Sequence, residues 1–290
     1  MTFVVPRAKA GLVGAVAIAA ALAGCETYGG GGASATRQFA VVESDATGAT
    51  SVNIASLTEV IQRNPNDAGA YVTRGAAYAR SGQFNDAIGD FTKAVQIDPN
   101  SASAYYNRAL AYRQTGRNDG ALADFSKAIS ADSNYGPAYI GRANVLRAQG
   151  DLDGAMSDLN QAIRLTPESA EAYHARGLVR QRQGQNTQAI GDFDAAIDRN
   201  PFVAAPYAAR GQSLIATNQF DKAIEDYNAA LNVNNKDASS WAYRGLAYEK
   251  TNRKKEAMES YQRAAQLEPG NPVAKQGLGR VSGGVGSLFN

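Results

Sequence analysis

The sequence predicts an all-α solenoid: six helix–turn–helix units of 34 residues, with a half-unit at each end. Three observations predict it. An aromatic recurs at Tyr71, Tyr105, Tyr139, Tyr173, Tyr207 and Trp241, each 34 residues after the last, and an Arg follows three residues later at Arg74, Arg108, Arg142, Arg176, Arg210 and Arg244. One column holds Gly82, Gly116, Gly150, Gly184, Asn218 and Asn252, the residue types that enter the left-handed conformation most easily and so end helices. A run such as Ala87, Ile88, Phe91, Ala94 and Val95 puts apolar residues at i, i+1, i+4, i+7 and i+8, which is one buried face of an amphipathic helix. A fixed period of this length marks a chain whose units cannot bury their apolar faces alone and must stack.

Taken from the N-terminus, residues 1–24 read as a secretory signal. Arg7 and Lys9 precede an apolar stretch from Gly11 to Ala23, which is shorter than the roughly 20 residues needed to cross a bilayer. The stretch ends in Leu22-Ala23-Gly24-Cys25, which resembles the lipobox of bacterial lipoprotein signals. That resemblance implies acylation of Cys25, cleavage before it and a mature chain anchored to a membrane by lipid. An uncleaved signal anchor with an incidental Cys is the competing reading, but the only Cys in the chain stands where the motif requires it. Glu26 rather than Asp follows the Cys, so the resemblance points to the outer membrane, facing the periplasm, with inner-membrane retention as the alternative.

Residues 25–50 are rich in Gly, Ala, Ser and Thr and read as a tether with an r.m.s. reach of roughly 25–30 Å. Residues 51–67 hold Leu57, Val60, Ile61 and Pro65 in the pattern of a lone second helix before the first unit.

The six units follow as 68–101, 102–135, 136–169, 170–203, 204–237 and 238–271. In each, helix A carries the aromatic, the Arg and then Gly75, Ala109, Ala143, Gly177, Gly211 or Gly245, where a neighbouring helix can come close. Three positions after the Gly/Asn column, Asn85, Asp119, Asp153, Thr187, Asp221 and Lys255 are expected to start helix B, five of them as N-caps. Pro99, Pro167, Pro201 and Pro269 stop helix B in four units, while Ser133 and Asn235 stand in that place in the other two. Residues 272–290 contain a truncated helix A that caps the far end, followed by a tail.

These columns resemble the tetratricopeptide repeat over 68–271. The resemblance implies that stacked hairpins form a right-handed superhelix whose concave wall is made by the A helices and binds extended peptides or a partner's helix. Mapped onto this chain, it places Val72, Tyr106, Ile140 and His174 in one row of the groove, Leu110, Asn144 and Leu178 in the next, and Arg80, Arg113, Arg147 and Arg182 near the rim. The family's clamp for C-terminal carboxylates is not expected, because of its five positions only Asn107 agrees.

Asp90, Asp124, Asp158, Asp192 and Asp226 share a helix B column, with Ser260 in the sixth unit. A ladder of Arg–Asp pairs is therefore expected, as scaffold rather than a binding stripe. Pairing within a unit and pairing with the preceding unit both remain open.

Composition narrows the chemistry. The 290 residues are 44% hydrophobic and 19% charged, with 29 Lys plus Arg against 27 Asp plus Glu, and removal of Arg7 and Lys9 leaves a balanced mature chain. A bulk electrostatic case for nucleic acid fails. One Cys and one His are too few for a Cys/His zinc site or a two-His metal site, and no hydrolase or phosphate-loop motif occurs, so neither a cofactor nor a metal is expected. An enzyme is the competing class and lacks a reactive constellation. A cytoplasmic repeat protein with a misread leader is a third reading. The expected function is a non-catalytic scaffold or adaptor, lipid-anchored at Cys25, that gathers envelope or periplasmic proteins in support of cell-wall growth or envelope integrity. Similar tetratricopeptide lipoproteins also act as outer-membrane assembly factors or pilotins for secretins, which is the alternative.

Overall fold

The computed structural model describes residues 54–283. The signal, Cys25, the tether and the last seven residues lie outside the described residues. The described chain is helical, beginning with α1 (Ile54–Arg63). It continues with α2 (Ala68–Arg80), α3 (Phe84–Ile97), α4 (Ala102–Gln114), α5 (Asn118–Ala131), α6 (Gly136–Gln149) and α7 (Leu152–Leu165). Then come α8 (Ala170–Arg182), α9 (Asn186–Arg199), α10 (Ala204–Ala216), α11 (Phe220–Val233), α12 (Ala238–Lys250), α13 (Lys254–Leu267) and α14 (Pro272–Ser282). Even-numbered helices from α2 to α12 are the A helices of the six units, and odd-numbered ones from α3 to α13 are the B helices. Helix starts within each class recur every 34 residues without exception.

Each turn between A and B is made by a residue in the left-handed region: Gly82, Gly116, Gly150 and Gly184 at φ +74° to +90°, and Asn218 and Asn252 at +59° and +60°. The caps differ from the expected ones. Asn85 and its column sit at the second residue of helix B, and most B helices begin at a Gln or Arg without a side-chain cap, with Asp151 the exception. Side-chain capping belongs instead to four of the six A helices and to α14, where Asp67, Ser101, Ser169, Asp237 and Asn271 accept from the backbone amide three residues on, while α6 and α10 start at Tyr135 and Val203 without a side-chain cap. Such a cap stabilises a helix by about 1 kcal/mol. Asp98, Asp132, Asn200 and Asn234 each accept from the amide two residues on, an Asx turn that occurs in units with Pro and in units without it, so the turn does not depend on Pro.

Within a unit, the B-helix aromatic packs on the small residue of helix A. A Cβ on Gly75, Gly177, Gly211 or Gly245 would lie 2.5–2.9 Å from the ring of Phe91, Phe193, Tyr227 or Tyr261. Where unit 3 has Leu159 instead of an aromatic, the opposing residue is Ala143, and both are fully buried. Unit 2 keeps Phe125 but has Ala109, and there the ring leans onto Gly141 of the following helix α6. Volume is balanced unit by unit, as close packing requires.

The Arg–Asp ladder forms within units and also ties units together. Arg108 donates from Nε and Nη2 to both oxygens of Asp124 at 2.6 and 2.9 Å, and from Nη1 to Thr92 Oγ1 of the preceding B helix at 3.1 Å. The same fork repeats from Arg74 to Asp90 and Thr58, Arg142 to Asp158 and Ser126, Arg176 to Asp192 and Asn160, and Arg210 to Asp226 and Asp194. Every rung therefore joins three helices, the bidentate geometry to which the guanidinium fork is suited. Arg244 meets Ser260 at 3.3 Å and Asn228 at 2.8 Å.

Candidate binding surface

Consecutive A helices pack directly on one another along the whole array, whereas consecutive B helices make no comparable packing. The A layer is thus the short side and the B layer the long side of a curved stack. Small residues in helix A permit this: Ala76, Ala109, Ala143 and Ala242 are among those with almost no exposed surface. The side lined by A helices is where a partner segment would meet one continuous wall built from several units.

The expected groove residues divide by burial. Val72, Leu110 and Ile140 are only 9%, 2% and 6% exposed and belong to the core beneath the wall. Leu178 and Asn144 are partly exposed, as are Tyr106, Arg80, Arg113, Arg147 and His174, and Arg182 is exposed. Asn107, the one position that matched the carboxylate clamp, is 1% exposed with Oδ1 enclosed and unpaired, so it presents nothing to a ligand.

The middle of the wall, from unit 2 to unit 4, carries its distinctive chemistry. The Tyr106 ring lies 5.8 Å from Phe125 and meets Tyr135 edge-on at 5.4 Å. Burial, and secondarily the charge of Glu171, pushes its hydroxyl well above the usual phenol range. His174 packs against Phe193 at 5.8 Å with Nε2 enclosed and unpaired. Burial and the nearby Arg147 charge lower its pKa to about 4, so the imidazole is neutral at physiological pH. Arg182 donates to the carbonyl of Arg147, satisfying a helix-end acceptor of α6 from the next unit. The middle of the wall is aromatic and apolar at its base, with the guanidinium groups of Arg147 and Arg182 beside it.

Sequence reasoning missed the column Thr58, Thr92, Ser126, Asn160, Asp194 and Asn228, which receives the second arm of each ladder arginine. Its shared property is a hydrogen-bond acceptor, not a residue type, and that signal was present. Among the described residues no group of three or more His, Cys, Asp or Glu is placed to hold a metal ion, and no helix is long and apolar enough to cross a membrane.

One family profile, described as "TPR repeat", matches residues 75–116 and 143–184, and two profiles described as "Tetratricopeptide repeat" match 102–135 and 208–272. Together they cover more than half of the chain. No curated protein sequence matches it. Among solved structures, the chain is similar to one from the APC/C hetero-tetramer Cut9–Hcn1, at TM-score 0.71 and 20% identity over 78% of this chain. It spans 45% of that chain's length. It is similar to PilF of Pseudomonas aeruginosa at TM-score 0.66 and 21% identity, covering 74% of this chain and 97% of that one. It is also similar to YrrB, described as a TPR protein with an unusual peptide-binding site, at TM-score 0.53 and 23% identity, covering 64% of this chain and 96% of that one.

Proposed function

We propose that this chain, which belongs to the tetratricopeptide repeat family, is a protein-binding scaffold that holds partner segments on its wall of A helices and is anchored in a bacterial envelope through acyl chains on Cys25. The observation that carries the binding function is the direct packing of successive A helices; on this reading the wall they form presents Tyr106, Asn144, Arg147, His174 and Arg182 to a partner. Repeat scaffolds of this kind bind through extended surfaces rather than pockets. The guanidinium groups of Arg147 and Arg182 favour acidic segments.

The anchor rests on the lipobox-like Leu22 to Cys25 and on the Gly-rich stretch behind it, which lets the folded units stand away from the bilayer. On this reading the scaffold faces the periplasm from the outer membrane and gathers proteins of cell-wall growth or envelope integrity.

The binding test is photocrosslinking in cells from residues placed at Asn144 and Arg182, with Arg164 on the outer helix α7 as control. Defined envelope proteins captured at the first two sites and absent at the third are expected; equal capture at all three would overturn the wall. Recovery of a secretin tail would favour the pilotin-like role over the cell-wall role. Metabolic acyl labelling tests the anchor separately: label that persists in Cys25→Ser removes it.

A further inference from the structure

A second surface lies on the opposite side of the array. Between the B helices α5 and α7, which do not pack on each other, lies a cleft of about 410 Å³ over α6, lined by Leu122 and Ser126 of α5, Arg142 and Leu146 of α6, and Gly154, Ser157 and Asp158 of α7.

The other units show why it is open here. Seven residues after the repeat aromatic, units 1, 2 and 6 carry Tyr78, Tyr112 and Tyr248. These rings lie 5.8–5.9 Å from the guanidinium carbons of Arg74, Arg108 and Arg244. In unit 2 the ring also reaches α5, where a Cβ on Gly120 would be 3.2 Å from Tyr112. Unit 3 has Leu146 in place of the tyrosine and Gly154 in place of any side chain from α7. Unit 4 fills the two positions with Arg180 and Gln188, and unit 5 with Leu214 and Lys222. Only unit 3 combines a short residue with a glycine.

The effect falls on Arg142. Its side chain is 26% exposed, against 15%, 11%, 18% and 23% for Arg74, Arg108, Arg176 and Arg210. Arg108 has Tyr105 and Tyr112 beside its guanidinium, whereas Arg142 has only Tyr139, at 5.9 Å. Its nitrogens are already engaged: Nε and Nη2 donate to Asp158 and Nη1 to Ser126. Asp158 neutralises the charge towards any incoming anion. What is left is the face of the guanidinium, flanked by two leucines, and that face is complementary to an aromatic ring.

We propose that this cleft takes an aromatic side chain, tyrosine or phenylalanine, presented by a segment of a partner protein. The ring would lie on Arg142 against Leu122 and Leu146, as Tyr112 lies on Arg108. The site is separate from the wall of A helices and stands or falls independently of it.

The test is an NMR titration of the full chain with N-acetyl-tyrosinamide, using N-acetyl-leucinamide as comparator. Saturable shifts at the Leu146 methyls, the Gly154 amide and Arg142 Nε–H are expected, with at least threefold tighter binding of the tyrosine probe. Leu146→Tyr installs the missing ring and Gly154→Gln installs the residue of unit 4. Each should weaken the probe at least tenfold while the thermal midpoint shows the variant folded. Equal response to both probes, undiminished binding in both folded variants, or no saturable response would each overturn the proposal. So would a cleft already filled by a second copy or by another part of this chain, seen as probe-free shifts between wild type and variants with no titration by tyrosinamide.

Discussion

Arg108 in unit 2 and Arg244 in unit 6 occupy the same place in the repeat and solve the same problem differently. For Arg108, burial works against the charge, but the hydrogen bonds and charge of Asp124 outweigh it and the pKa is raised. Arg244 has Ser260 where the carboxylate would be, and there burial prevails and lowers the pKa. Its compensation is Trp241, whose ring lies 4.2 Å from the guanidinium carbon, against 5.7 Å for Tyr105 and Arg108. A half-buried guanidinium is therefore tolerated without an ion pair when an aromatic face and neutral acceptors surround it. The carboxylate is one solution among the rungs and not a condition of the fold.

The strongest way to break that comparison is Asp124→Ala, which leaves Arg108 with neither a carboxylate nor a tryptophan. A loss of about 3–5 kcal/mol in denaturant unfolding is expected, the cost of leaving one member of a buried pair uncompensated. The loss should be smaller for Asp158→Ala, because water reaches Arg142 more easily.

A base whose enclosed nitrogen can release its proton avoids the difficulty, and His174, with Nε2 enclosed on a partly exposed side chain, is that case. Its folded pKa of about 4 lies below the ordinary 6.5. Between these values the unfolded chain holds the proton that the folded chain lacks, so stability is complete above pH 6.5 and falls as pH drops towards 4. The loss approaches about 3 kcal/mol. Subtracting the pH–stability curve of His174→Gln from that of the wild type isolates it from titrating carboxylates.

The packing beneath the two rungs differs as well. Unit 2 already has Ala109, whereas a Cβ on Gly245 would lie 2.7 Å from Tyr261, which is also pressed against Gly277. Gly245→Ala should cost about 1–3 kcal/mol by overpacking, read as a lower thermal midpoint. The smallest effect sharpens the comparison: Ser260→Asp supplies the sixth carboxylate and should stabilise by about 1 kcal/mol, as a charge-assisted hydrogen bond replaces a long neutral one.

Much of this fold was legible because each unit repeats its errors and its signals in phase. Six Gly or Asn residues in one column fixed the A–B turn, and the structure puts all six in the left-handed region. The B-helix caps were misplaced because Asp and Asn residues also favour the first turn of a helix, so Asp119 and Asp221 carry the right chemistry two residues too late. The rungs to Thr92, Ser126 and Asn160 were hidden because different residue types supply one acceptor. The candidate wall was legible as columns but not as surface: Val72, Leu110 and Ile140 are covered by neighbouring helices, and that coverage depends on how closely the Ala-rich A helices approach. The open cleft in unit 3 depends on Leu146 and Gly154 together, which no single column reveals.

If the Arg108 rung only holds the array and the wall of A helices does the binding, the two properties must separate in one chain. Capture from the photoreactive residue at Asn144, compared between the wild type and Asp124→Ala at a temperature where circular dichroism finds both folded, tests this most directly. The expected result is a lowered thermal midpoint with the same proteins captured in the same proportions. An unchanged midpoint with capture abolished would contradict it and make the Arg108 rung part of the binding surface.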